Sequence, residues 1–103
     1  MRNKLQSYLG FAIKSRKLVS GYDTCLNLIK ANKIELILIT REASEKTQKR
    51  FRGLTENAGI PMYVMDSSSE IEAMTGIGGR NIFGITDKNF AQAIAKEIEN
   101  MRM

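Results

Sequence analysis

The run Glu35-Leu36-Ile37-Leu38-Ile39-Thr40 constrains this chain more than any other stretch. Between its two polar ends it is unbroken Leu and Ile, of strand length, with no alternation of polar and apolar positions. A strand with one face in water alternates, so this one is expected to be buried on both faces. Helices must then cover both sides of its sheet. At 103 residues the chain suits one domain, 1–103, large enough to hold a core without a metal or disulfides.

The flanking segments supply the covering layers. Leu5, Tyr8, Leu9, Ala12 and Ile13 fall at helical spacing within residues 3–15, with Lys4 and Lys14 left to solvent. Leu18 and Val19 read as a short strand entering a turn at Gly21, and a second helix is expected from Gly21 to about Ala31, with Cys25, Leu28 and Ile29 inward. Ser20 and Asp23 match a capping box at its start. Ser44 is expected to cap a third helix that ends at Gly59, in which Thr47, Phe51, Leu54 and Ala58 recur on one face. A strand over residues 61–65 follows, with Pro61 at its edge. Ser67 and Glu70 form a second capping box for a short helix ending near Gly76. Residues 76–80 read as a flexible turn and residues 81–85 as a fourth strand, with Gly84 marking close packing. Asp87 is expected to cap a last helix whose packing face is Phe90, Ile94, Ile98 and Met101.

Alternating helices and strands with short connections specify an α/β domain, three layers deep, with four short strands. Most connections are long enough for crossover helices, so much of the sheet is expected to be parallel, with room for a reversal at one edge beside the short fourth helix.

Composition narrows the function. With 16 Lys plus Arg against 11 Asp plus Glu, the formal net charge is +5, which permits a polyanionic partner. The chain has no His and a single cysteine, Cys25, so the usual transition-metal clusters and His-centred triads are unavailable and no intramolecular disulfide can form. Cys25 is expected to pack as a small apolar residue. The longest apolar run, residues 36–39, is far below membrane-spanning length, and the first 17 residues carry charges throughout, so a soluble cytoplasmic protein without membrane attachment is expected. Gly76, Gly78 and Gly79 could admit phosphate to the backbone, but G-I-G-G-R-N lacks the Lys-Ser or Lys-Thr of a P-loop and precedes a strand rather than a helix. Glu42, Glu45, Glu70 and Glu72 read as solvated helix-end carboxylates. Of the aromatic residues able to stack on bases, only Tyr22 lies in a candidate edge; Tyr8, Phe11 and Tyr63 are expected in the core.

The candidate edge is the junction of residues 19–30, where backbone N–H groups gather at a helix start and can attract phosphate. Lys14, Arg16 and Lys17 precede it as a basic cluster, which equally suits a solvated helix end.

Taken in order, these residues resemble the ribosomal protein family that binds kink-turn RNA, typified by the L7Ae and L30e proteins, and most nearly its small bacterial YlxQ-like members. The segments L-G-F-A-I-K-S-R-K-L-V-S-G (9–21), A-S-E-K-T-Q-K-R-F (43–51), E-I-E-A-M-T-G (70–76) and I-T-D-K-N-F-A (85–91) carry the resemblance, which covers nearly the whole chain. It implies a three-layer α/β/α sandwich with a four-stranded mixed sheet, and RNA binding without catalysis or cofactor. Where the kink-turn binders begin the second helix G-x-N-E-x-x-K, this chain matches at Gly21 only. Asp23 stands for Asn and loses the amide donors, Thr24 for Glu and shortens the reach, and Asn27 for Lys and loses a charge. Glu72 stands where the family has Gly. The resemblance places an RNA site on Gly21, Asp23, Thr24 and Asn27 with the loop Gly76, Ile77, Gly78, Gly79, Arg80 and Asn81, to which the position of Tyr22 in the same edge adds a stacking candidate. Lys14, Arg16, Lys17 and Lys30 are candidates for backbone contacts, and Ile77 for packing on an unstacked base. A ribosomal or other structured RNA is the expected partner. The alternative is a protein-interaction adaptor on the same fold, favoured by extensive apolar helix surface; clustering of Lys14, Arg16, Lys17, Lys30 and Arg80 favours RNA.

Overall fold

The computed structural model describes residues 4–102, so Asn3, expected in the first helix, lies outside the described residues. The chain runs α1 (Lys4–Lys14), β1 (Leu18–Ser20), α2 (Tyr22–Lys30), β2 (Leu36–Thr40), α3 (Glu45–Ala58), β3 (Met62–Met65), α4 (Ser68–Thr75), β4 (Ile82–Ile85) and α5 (Lys88–Met101). All five residues of β2 are buried. Because successive strand side chains point to opposite faces, Leu36 and Leu38 pack with α1, α4 and α5 through Leu5, Leu9, Ile71, Ile94 and Ile98. Ile37 and Ile39 pack with α2 and α3 through Cys25, Ile29 and Phe51. The result is the three-layer α/β/α sandwich with a mixed four-stranded sheet.

The strand order is β1-β4-β2-β3, and this corrects the expectation of a largely parallel sheet. Only β2 and β3 pair parallel; β4 pairs antiparallel with both β1 and β2. The crossovers through α2 and α3 do give three strands of one direction, as their lengths require. The reversal falls inside the sheet instead of at its edge. After β3, the eight-residue α4 returns the chain to the end of the sheet it has just left, where Thr40 N–H donates to the Asn81 carbonyl at 2.9 Å. From there β4 runs back between β1 and β2.

Local signals set most element ends. The hydroxyls of Ser44 and Ser67 and the carboxylate of Asp87 accept from Thr47, Glu70 and Phe90 N–H at the starts of α3, α4 and α5. Gly59 and Gly76 close α3 and α4 with φ of 72° and 78°, the left-handed conformation that costs glycine least. Three inward assignments change. Thr55, not Ala58, completes the buried face of α3, its hydroxyl satisfied by the Phe51 carbonyl at 2.8 Å. Met101 is 57% exposed because the last turn of α5 extends past the core, and Phe11 is 55% exposed because the face set by Leu5, Leu9 and Ala12 leaves position 11 to one side. At the exposed edge of β3, the Arg102 guanidinium donates to the Val64 carbonyl and lies over the Tyr63 ring, 5.7 Å from its centroid, covering part of an otherwise open strand.

Gly84 sits where β4 meets α2. A Cβ there would lie 2.7 Å from Ile34 Cδ1, 3.2 Å from Val19 Cγ2 and 3.4 Å from Cys25 Sγ, so the close packing read from the sequence is real. Gly84→Ala is expected to destabilise by about 1–3 kcal/mol through overpacking, measured as a lower urea midpoint at unchanged slope. Adding Ile34→Val, which removes the nearest methyl, should make the double mutant less destabilised than the sum of the two single changes.

Candidate functional site

Three strands end, and β4 begins, at one end of the sheet, where open α/β sheets bind their ligands. There Gly21, Tyr22, Ser44, Arg80 and Asn81 help to line a shallow cleft of about 270 Å3. Two segments separated by more than fifty residues thus form one edge: the start of α2 and the loop before β4.

Gly21, not Ser20, holds the cap position of α2, and no side chain accepts from the first turn. This corrects the capping-box expectation. Ser20 is the last residue of β1, in register with Phe83, and Gly21, with φ of 104°, turns the chain into the helix. Gly21 N–H donates to the Ile82 carbonyl and Cys25 N–H to the Gly21 carbonyl. Among the described residues, the N–H groups of Tyr22, Asp23 and Thr24 are left without a backbone acceptor, as at any uncapped helix start. These three residues are exposed, at the positive end of the helix dipole. Asp23 adds a carboxylate to the same turn, which offsets part of that field.

Arg80 completes the edge. Its Nη1 lies 3.2 Å from where a Gly21 Cβ would stand, so the guanidinium rests on the bare backbone of the helix start, and any larger residue at position 21 would push it aside. Arg80 forms no ion pair among the described residues; the Arg41–Asp66 pair, at 3.4 Å, is a separate exposed contact.

The loop carrying Arg80 is held by its neighbours. Gly79 takes φ of 73°. Ile77 N–H donates to Thr75 Oγ1 at 3.1 Å, and the half-buried Ile77 side chain packs in part against the α1–α4–α5 core. The Glu72 carboxylate lies against Gly78, 2.8 Å from where a Cβ would be. Asn81 is the anchor: its side-chain oxygen accepts from the buried Thr40 hydroxyl at 2.7 Å while its carbonyl takes the Thr40 N–H. Asp23, Thr24, Asn27 and Lys30 form an exposed stripe along α2, the i, i+4, i+7 pattern of one face. Tyr22 is 37% exposed and meets Phe51 edge-on, with ring centroids 5.2 Å apart, so part of the ring packs α2 on α3 and part remains for a ligand.

The basic residues do not gather in one place. Lys17 immediately precedes β1, at the end of the sheet where its carbonyl accepts from Thr86 N–H at 2.9 Å; Gly21 is at the other end, roughly 13 Å away along an extended chain. Lys14 and Arg16 accompany Lys17, and Lys30 closes α2 about 12 Å from its start. Arg80 is therefore the cation of the cleft, while the Lys14, Arg16 and Lys17 cluster faces away from it.

Glu42 is a site residue that local pattern did not reveal. Its carboxylate accepts from Ser68 N–H at 2.5 Å and from Ser68 Oγ at 2.9 Å, joining the cleft wall after β2 to the start of α4. The partners are 26 residues apart, beyond any capping motif. Cys25, buried in the core, has its thiol pushed up to about 12 by burial and is inert as a nucleophile.

The chain belongs to the ribosomal protein L7Ae/L30e/S12e/Gadd45 family, whose model matches residues 3–98. It is 30% identical over 98 residues to the RNA-binding protein YlxQ of Enterococcus faecium, spanning 95% of this chain and 94% of that protein. It is 29% identical over 86 residues to the RNA-binding protein YlxQ of Bacillus subtilis, spanning 84% and 86%. A solved structure from Bacillus halodurans, of a protein of unknown function, has the same fold, with a TM-score of 0.89 at 22% identity over 95% of this chain and 99% of that one.

The Ser68 backbone N–H and then the Ser68 hydroxyl hold the Glu42 carboxyl below the ordinary carboxylate range. Since the folded pKa lies below the unfolded one, this clasp stabilises fully above the unfolded value and is lost as pH falls through the folded value. Titration followed by carboxyl 13C NMR should show Glu42 among the low-titrating glutamates, and Ser68→Ala should move it part of the way back up, because the backbone bond survives.

Proposed function

We propose that this chain binds a folded RNA, without catalysis or cofactor, through the start of α2 and the loop before β4. The observation that carries this reading is the unpaired Arg80 guanidinium resting on Gly21, beside first-turn amides that no side chain caps. Unsatisfied N–H groups and a cation side by side suit a phosphate or the edge of a base. Family membership and relatives that are RNA-binding proteins support RNA as the polyanion. In this reading, Thr24 and Asn27 offer hydrogen bonds along α2, Tyr22 presents the free part of its ring, and the amides of Gly78 and Gly79 approach the backbone of the RNA. Gly76 gives the loop its turn. The family's ribosomal members favour a ribosomal RNA in the cytoplasm. Asp23, Thr24 and Asn27 replace the polar set with which kink-turn binders read paired bases, so recognition would rest more on the shape of the RNA than on base-edge contacts.

Binding of a kink-turn RNA and of an unkinked duplex of equal length should be compared across a salt series. The expected result is tighter binding of the folded RNA, affinity falling linearly on a log–log plot against salt, and roughly tenfold weaker binding for Arg80→Ala, the order of a lost charge-assisted contact. Equal, weak binding of both RNAs that Arg80→Ala leaves unchanged would sink the proposal. Salt-sensitive binding that depends on Arg80 but shows no kink-turn preference would keep the site and point to another folded RNA.

A further inference from the structure

The +5 charge is distributed against the proposed edge. Around the cleft, Arg80 and Arg41 share the end of the sheet with Asp23, Glu42, Asp66 and Glu72, and Arg41 is paired with Asp66. At the opposite end, Lys14, Arg16, Lys17 and Lys88 are all exposed, and none forms an ion pair among the described residues. The acidic residues at that end, Glu35 and Asp87, are both half-buried; Glu35 lines a separate cleft with Lys88, and the Asp87 carboxylate is engaged as the α5 cap, accepting from Phe90 N–H at 2.9 Å. The Lys17 carbonyl accepts from both Thr86 N–H and Thr86 Oγ1, at 2.9 and 3.3 Å. The basic end of α1 is therefore tied to the start of α5.

Beside these cations lies a shallow groove of about 420 Å3 between α1 and α5, lined by Tyr8, Phe11, Ser15, Asn89, Phe90 and Ala93. Tyr8 and Phe90 are half-buried and pack against the core. Phe11 stands out of it at 55% exposure, one helical turn before Lys14. At the far end, one turn from Tyr8 and Ala93, Lys4 and Lys96 stand with Glu97, so the larger excess of positive charge is where the groove meets Lys14, Arg16 and Lys17.

We infer that the groove between α1 and α5 is a second nucleic-acid site, which takes a single-stranded RNA segment with one base stacked on Phe11 and its phosphates on Lys14, Arg16 and Lys17. An exposed aromatic face beside a row of unpaired cations is the arrangement that single strands use, because every base has a stacking face and every linkage a negative charge. A duplex would satisfy the cations and leave Phe11 without a partner. The inference rests on the proposed function only in taking RNA as the ligand. It does not depend on Gly21 or Arg80, and it gives the Lys14, Arg16 and Lys17 cluster a role that its distance from the cleft denies it there.

Fluorescein-labelled ten-residue oligouridine, which has no fold of its own, is the probe, with anisotropy measured at low salt on the full chain. The wild type is expected to bind it, Phe11→Ala to bind about tenfold more weakly, as for a lost stacked base, and Phe11→Tyr to keep wild-type affinity. Lys17→Ala should flatten the salt dependence. Arg80→Ala should leave oligouridine binding unchanged while weakening the folded RNA, and Phe11→Ala should do the reverse. Oligouridine binding indifferent to Phe11, or lost with Arg80→Ala, would overturn the inference. So would no oligouridine binding by a protein that binds folded RNA, an outcome that leaves the Gly21 edge standing. Phe11-dependent oligouridine binding without any folded-RNA binding would support the groove and remove the edge. Sedimentation of each variant closes the test: a change of oligomeric state with Phe11→Ala at unchanged oligouridine affinity would make the groove a protein contact instead.

Discussion

β4 hydrogen-bonds to β1 on one side and to β2 on the other, and the rest of the molecule is arranged by that double pairing. It puts Gly84 under α2, where no larger side chain has room. It also brings the segment before β4 to the end of β1, so that Gly21 N–H reaches the Ile82 carbonyl and Thr40 reaches Asn81. Arg80 lies over Gly21 as a consequence of strand register, and the proposed RNA edge exists because a strand late in the chain is inserted between two early ones. The two glycines do different work: Gly84 permits the layers to close, and Gly21 permits a cation to settle on backbone.

The molecule has two ends of unlike chemistry. Among the described residues, one presents uncapped helix amides and an Arg80 guanidinium without an ion pair among carboxylates; the other presents a cluster of lysines and an arginine without ion pairs beside an exposed aromatic ring. In the proposed reading, the first end meets a folded RNA through a few donors and the second holds a single strand through charge. Glu42, which lines the cleft, is engaged by the start of α4, so its carboxylate forms part of the cleft wall, while Glu72 lies beside Gly78.

Much of the fold was legible in the residues, and the failures have identifiable causes. Ser44, Ser67 and Asp87 were readable as caps because a cap bonds within three residues, and Gly59 and Gly76 as helix ends because a left-handed residue is a local requirement. Ser20 matched the same capping pattern and does not cap, because its backbone belongs to β1 and local spacing cannot show that a neighbouring strand has claimed it. The expectation of a largely parallel sheet failed for a similar reason: connection length indicates strand direction, but pairing is decided between strands far apart in sequence. At the site, Gly21 and Arg80 were both readable as candidates, whereas the partial burial of Ile77, the exposure of Phe11 and the distance of Lys14, Arg16, Lys17 and Lys30 from the cleft were not.

By itself the sequence determined the layers, through an apolar run that no single-faced strand could bury, the helix limits, through caps, and the family, through segments spread over the chain. Each is a property of neighbours within a few residues or of their order. The tertiary structure alone decided which end of the sheet Arg80 joins, which cations stand together, and that Phe11 is left in water. These depend on the insertion of β4 and on the packing of α5 against α1, long-range contacts whose free energy comes from burying whole faces at once and leaves no mark on local residue spacing.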